Sequence, residues 1–337
     1  MKVGIILNNM QHTKADMVSA LDEQIAMVRL ARDKGWDSCL ASMHYLTGGH
    51  DQEMQQVPLL ARLQADAGHM TMGVAIFLLA LHNPVYAAET LATLDIIARG
   101  NFVCGIGLGY RPEEFDAFGV PMDKKVKYFV ETLDVVKRLW SGEPVTYESP
   151  FCKLNNIRMN LLPVQRPHPP LWMAANHDNA VKRAARLGDT WYINPHATLE
   201  TNVRQMAIYR DALKEAGKPF PREVPCRKEI ICAPTRQQAI EWAAKYVGEK
   251  YRIYVKWGQD KVMPDDERLD LPFEQLAEGR FIVGTPEDCY NQLLPWKERL
   301  GITHVVFRTH FNGMAIGECL QSMRLISDEL VPALHKL

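Results

Sequence analysis

Residues 71–109 read TMGVAIFLLALHNPVYAAETLATLDIIARGNFVCGIGLG. The run from Met72 to Leu81 is apolar over ten residues. That is about half of the roughly 20 needed to cross a bilayer, so it reads as a buried strand. A second run of the same kind, Phe102 to Ile106, follows after a longer segment. Strand, long connection, strand is the pattern of a βα unit, because parallel neighbours need a crossover rather than a tight hairpin. Outward from this pair the alternation predicts eight strands: Val3 to Asn8, Asp37 to Ala41, Thr71 to Leu78, Phe102 to Ile106, Leu171 to Ala175, Thr190 to Asn194, Glu229 to Ala233 and Thr303 to Arg308. Between them Val18, Leu21, Ile25 and Val28 recur at helical spacing, as do Phe129, Leu133, Val136 and Trp140, and later Leu320, Met323, Ile326 and Leu330. With no internal break in composition, the pattern favours one α/β domain over residues 1–337, a (β/α)8 TIM barrel with insertions, over a doubly wound sheet.

Two stretches exceed a minimal barrel. Residues 142–170 carry Pro163, Pro167, Pro169 and Pro170 after an alternating segment, which reads as an extended excursion or hairpin returning to the fifth strand. Residues 251–284 hold seven charged residues between positions 260 and 270, flanked by Pro264 and Pro272, and are expected to form a mobile loop. Its Tyr251, Tyr254, Trp257, Leu269, Leu271 and Phe273 suit a lid that closes on a filled pocket. After Gly284, Thr285-Pro286-Glu287-Asp288 sets a capping hydroxyl, an N1 proline and two acids at a helix start, and Pro295 should kink or end that helix.

Charge and cysteine content narrow the function. Among 337 residues, 39 Lys and Arg face 40 Asp and Glu, a net of −1, so nothing draws the chain to nucleic acid or an anionic membrane, and a small ligand is expected. Val3 to Leu7 is too short for a signal-peptide core, giving the expectation of a cytoplasmic protein. Seven scattered cysteines, with no C-x-x-C pair and no His at zinc spacing, read as reduced, buried thiols. No metal site is expected: the first strand ends in Asn8-Asn9 without an H-x-H pair, and no strand-end Lys suggests a Schiff base. Gly105-Ile106-Gly107-Leu108-Gly109 lets a ligand approach backbone, but Tyr110 and Lys125 stand where a dinucleotide fingerprint needs Gly and an acid, which argues against a resident NAD(P) site.

In such a barrel the carboxyl ends of the strands line the site. There stand His44, Ala75 to Leu79, Gly107 to Arg111, Asn176 to Asn179, Asn194 and Arg308. His44 is the candidate for proton handling, since an imidazole titrates near neutrality. Asn194 suits hydrogen bonding to a ligand or a turn, and Arg308 an anionic substrate group, a phosphate or a salt bridge.

Residues 72–119 then show a combination of motifs: His82-Asn83-Pro84, Leu94-Asp95, Gly100, G-x-G-x-G-Tyr at 105–110, Glu114-Phe115 and Phe118-Gly119. Further matches run through Leu139-Trp140, Pro163 to Pro170, Ala184-Ala185, Gly188-Asp189, Trp191 and Gly284 to Glu287. The chain resembles, nearly throughout, the bacterial luciferase-like flavin-dependent monooxygenases. The resemblance implies a barrel that binds FMN, or in some relatives a deazaflavin, across the strand ends. It implies a non-proline cis peptide at Ala75-Ile76 against the flavin ring, with Gly107, Leu108 and Tyr110 beside it. It places the phosphate at Asn176-His177-Asp178-Asn179-Ala180, where a helix start supplies free N–H groups. It further implies reduced FMN delivered by a separate NAD(P)H-dependent flavin reductase, O2 and a small organic substrate as reactants, a C4a-peroxyflavin, and a homodimer. Ser42-Met43-His44 retains only the last residue of the luciferase Glu-His-His, and Gly107-Leu108 replaces its Cys-Arg pair, so light emission is not expected and whether Arg111 supplies the missing cation stays open. A deazaflavin-dependent hydride-transfer enzyme is the alternative, and the residues at 42 and 43 also fit a non-catalytic flavin-binding relative.

Overall fold

Eight short strands pair in parallel and close on themselves. The computed structural model describes residues 1–8, 10–49, 51–265 and 267–337. The strands, in ring order, are the first (Lys2–Leu7), second (Ser38–Ala41), third (Thr71–Leu78), fourth (Phe102–Gly107), fifth (Leu171–Ala175), sixth (Thr190–Ile193), seventh (Pro225–Cys232) and eighth (His304–Arg308). The eighth returns to the first in register Lys2↔His304 to Ile5↔Phe307, and the sixth meets the seventh at Ile193↔Cys226, closing a TIM barrel. Ile6, Leu40, Ala75, Val103, Trp172, Tyr192 and Val306 pack as one cluster, with a residue from each strand save the seventh. At the amino-terminal end the Ser38 hydroxyl lies 2.8 Å from His304 Nε2, and a Cβ on Gly4 would sit 2.0 Å from that hydroxyl, so only glycine fits there.

The helices pack outside. Phe129, Leu133, Val136 and Trp140 are all buried on the helix Lys125–Trp140, and Met323, Ile326 and Leu330 are buried near the C-terminus. Val18 departs from its expected role: it shares a face with Ile25 but lies in the first turn of Met17–Asp33 and is 71% exposed, while Ala20, Met27 and Ala31 join the buried face. All seven cysteines are free and buried. No helix among the described residues is long and apolar enough to cross a membrane.

Three expectations need correction. The seventh strand begins at Pro225, not Glu229, because Arg227, Lys228 and Glu229 are buried in it, and three successive charges hide a strand from any hydropathy reading. The helix after Gly284 has the expected capping hydroxyl and N1 proline, Thr285 forming a capping box with Asp288, but Pro295 does not end it, since it runs to Leu300. Residues 251–284 are not a plain charged loop. Tyr251 lies inside the long helix Arg236–Lys256, Phe273–Ala277 is helical, and Ile282–Gly284 pairs with the upper part of the seventh strand. Met263, Leu269 and Leu276 are buried, and Arg280 pairs with Glu267 at 2.6 Å inside the segment. The excursion over 142–170 does contain an antiparallel hairpin, Val145–Ser149 with Cys152–Ile157. Asn9, at the expected end of the first strand, and Asp266, within the charged run, lie outside the described residues.

Candidate functional site

Because all eight strands run the same way, their carboxyl ends converge on one cavity of about 430 Å³. His44, Ala75, Ile76, Gly107, Leu108, Tyr110, Asn176, His177, Asn179, Ala180 and Asn194 line it, each on the loop or strand end named from sequence. The Ala75–Ile76 peptide is cis, and the register between the third and fourth strands shifts just there. The three glycines of the G-x-G-x-G run have different reasons. A Cβ on Gly105 would lie 2.3 Å from the Val74 carbonyl oxygen, one on Gly107 would press on Ile76 at 3.0 Å, and Gly109 has φ +82°. Gly105 thus serves strand packing, and Gly107 keeps room beside Ile76.

Two candidates are not on the wall. Asp178 begins the helix Asp178–Leu187 but turns its carboxylate to Arg204 at 2.7 Å and Gln205 at 3.1 Å, which holds it below the usual carboxylate range despite burial. Arg308 is buried behind the wall, donating to Asn8 Oδ1 at 3.0 Å and to Ser42 Oγ at 3.3 Å. Asn194 is on the wall, yet its amide donates to the Ala175 carbonyl at 3.0 Å and its oxygen accepts from the His196 N–H at 2.8 Å, so it also ties the turn. Arg111 is committed elsewhere: it donates to the carbonyls of Tyr45 and Leu46 and lies 4.4 Å over the Trp257 ring.

The cations on the wall are Lys125, Arg183 and Arg227, none of which sequence reasoning singled out as ligand-binding. Lys125 starts the helix Lys125–Trp140, between the fourth and fifth strands, and Arg183 lies in the helix whose start offers the Asp178 and Asn179 N–H groups to the loop. Neither forms an ion pair with a carboxylate among the described residues, and partial burial lowers both pKa values, with Arg183 adding to the effect on Lys125. Walls of Met43, Ala75, Ile76, Leu108, Val126, Ala174 and Ala175 complete the cavity. An apolar cavity whose lining includes two neighbouring cations and a helix start fits a planar ring system bearing a phosphate.

His44 has a built environment. Its Nδ1 lies 3.2 Å from Glu114 Oε1, which also accepts the Tyr45 N–H at 2.8 Å, and its backbone N–H donates to Glu53 Oε2 at 2.9 Å. Glu114 is fully buried, while the His44 side chain keeps 18% exposure. Rings of Tyr110, Tyr254 and Trp257 surround the imidazole at 5.6, 6.3 and 5.2 Å. Glu114 was visible only as part of a motif; its pairing with His44 spans 70 residues and needs the fold.

Known proteins carry the same architecture. The phthiodiolone/phenolphthiodiolone dimycocerosates ketoreductase of Mycobacterium tuberculosis is 25% identical over 280 residues, 75% of this chain and 72% of its own. The oxygenating constituent of 3,6-diketocamphane monooxygenase from Pseudomonas putida, solved with FMN, superposes with a TM-score of 0.81 at 19% identity, over 98% of each chain. An F420-dependent secondary alcohol dehydrogenase, solved with an F420-acetone adduct, superposes with a TM-score of 0.79 at 18% identity, over 99% of this chain and 98% of its own. The model of the luciferase-like monooxygenases matches residues 1–304, and the chain belongs to that family.

Proposed function

We propose that this chain is the oxygenating component of a two-component flavin-dependent monooxygenase, which takes reduced FMN from a separate NAD(P)H-dependent reductase and uses O2 to oxygenate a small organic substrate. The observation that carries the reading is the apolar cavity whose lining includes Lys125, Arg183 and the start of the helix Asp178–Leu187. Those groups would hold the phosphate, and Ala75, Ile76, Gly107 and Leu108 would bound the ring. Bound reduced flavin supplies the electrons that activate oxygen. The protein's own residues bind, exclude water and handle protons. With Nδ1 directed to Glu114, His44 has Nε2 as the atom at which a proton is held or passed. Tyr254, Gln259 and Val262, from the segment after the seventh strand, close the cavity on a further side and limit water.

A second reading, hydride transfer with a deazaflavin, is favoured by the relatives named as a ketoreductase and an F420-dependent dehydrogenase. The same cavity suits either phosphate-bearing tricycle. Anaerobic titration with reduced FMN, oxidised FMN, riboflavin and F420 separates them. Reduced FMN is expected to bind at least several-fold more tightly than oxidised FMN. Lys125→Ala and Arg183→Ala should each weaken FMN by about tenfold, the worth of one charge-assisted contact, and leave riboflavin unchanged. Preference for F420 would replace oxygenation with hydride transfer, and no flavin binding would overturn both.

A further inference from the structure

The strongest polar feature outside the phosphate end is on the seventh strand. Arg227 lines the cavity although only 8% of it is exposed. Its Nε has no hydrogen-bond partner, and its nearest carboxylate contact is Nη2 to Glu229 Oε1 at 3.5 Å, longer than a good charge-assisted bond. That same oxygen is taken by the Lys250 ammonium, which is itself buried. The Tyr192 hydroxyl, also on the wall and 2% exposed, likewise has no partner. Arg308 adds its charge from behind Ser42, with an unpartnered Nε of its own. Arg227 and Lys250 therefore share Glu229 as their close carboxylate, Arg308 is a third buried cation nearby, and the Arg227 Nε and Tyr192 hydroxyl are left without a partner. Groups so buried cost free energy unless something completes them.

Arg227 belongs to a different electrostatic neighbourhood from the phosphate end. The charged group beside it is Glu229, with the phenols of Tyr254, Tyr192 and Tyr251 nearby, whereas the charge acting on Lys125 is that of Arg183. A phosphate at Lys125 and Arg183 would leave Arg227 with only the shared Glu229 as its counter-charge.

We infer that Arg227 and Tyr192 bind a second, negatively charged group in this cavity, either a carboxylate of the organic substrate or the anionic edge of a reduced flavin ring. The inference rests on the proposed flavin-and-substrate reading of the cavity, and it adds the charge of what the seventh-strand side accepts. A guanidinium presents paired donors to a planar anion, and the phenol O–H adds a third.

Calorimetry with sodium benzoate and its neutral isostere benzamide, on the protein alone and with FMN added, provides the test. If the anion is the substrate's, benzoate binds at least tenfold more tightly than benzamide, and Arg227→Gln abolishes the difference while Arg227→Lys keeps part of it. If the anion is the flavin's, Arg227→Gln lowers reduced-FMN affinity at least tenfold relative to oxidised FMN and makes the bound flavin harder to reduce. Tyr192→Phe should shift whichever ratio responds by a few-fold. Equal benzoate and benzamide affinities, together with an unchanged reduced-to-oxidised FMN ratio in a folded Arg227→Gln or Tyr192→Phe protein, overturn the inference. Benzoate binding to the protein alone needs no cofactor, so failure to bind FMN would remove the proposed function and the flavin source, while benzoate against benzamide would still decide the substrate source.

Discussion

His44 shows how a side chain of ordinary chemistry acquires a role from its neighbours. An imidazole with one nitrogen hydrogen-bonded has its tautomer and ring plane set, leaving the other nitrogen for exchange. Here the orienting group is Glu114, buried so that its position is fixed by packing and by the Tyr45 N–H. His44→Ala is expected to lower coupled product formation by about a hundredfold while FMN affinity stays within a few-fold, since general acid–base groups contribute in that range. Glu114→Gln should move in the same direction by less, because a carboxamide can still meet Nδ1. Hydrogen peroxide released per flavin oxidised is the measurement. An unchanged peroxide yield in both variants would make His44 a structural residue.

The segment between the seventh and eighth strands brings aromatic groups to the site and is tied down by one cation. Arg280 donates to the His196 carbonyl at 2.6 Å, to the Leu276 carbonyl and to Glu267, whose other oxygen accepts from the Thr198 N–H and hydroxyl at 2.7 Å each. The loop after the sixth strand is thereby pinned to the segment that carries Tyr254 and Val262. Removing one member of a buried pair strands the other, at a cost of about 3–5 kcal/mol. Arg280→Ala should therefore speed trypsin cleavage near Lys261 and Arg268, and flavin plus substrate should slow it again by favouring the closed arrangement. Cleavage at the wild-type rate in the variant, unaffected by ligand, would show that this pairing does not hold the segment.

Stability of the whole barrel should carry the signature of one carboxyl group. Burial beside the second-strand loop pushes Glu53 up from 4.5 to about 7, outweighing the opposing pull of His44 and Arg308. Between those two values the folded protein holds a proton that the unfolded chain has released, so folding stability falls as pH rises from about 4.5 to about 7. Glu53→Gln, which retains an acceptor for the His44 N–H, should remove that slope. Its gain over the wild type should be near zero at pH 4 and about 2 kcal/mol at pH 8, because a tenfold change in proton affinity is worth ~1.4 kcal/mol and the partial exposure of the side chain reduces the total. Urea unfolding at the two pH values measures it, and a constant difference would refute the assignment.

Short apolar runs, helical periodicity and capping residues were readable along the chain because they are local. They sufficed for the barrel, for the third and fifth strands to the residue, and for the capping box at Thr285. The loops that line the cavity were readable too, since parallel strands place their carboxyl ends on one face. Local patterns failed where a residue's partner is distant in sequence. Arg227 and Lys228 look like a charged approach to the strand expected from Glu229 until Lys250, Arg280 and the Trp296 ring are brought against this stretch. Lys125 and Arg183 look like ordinary solvated cations until the fourth and fifth strands set both beside the same helix start. Charge on a side chain is a property of the sequence, but whether that charge is solvated, paired or left facing a cavity depends on which distant groups displace its water, and only the closed barrel decides that.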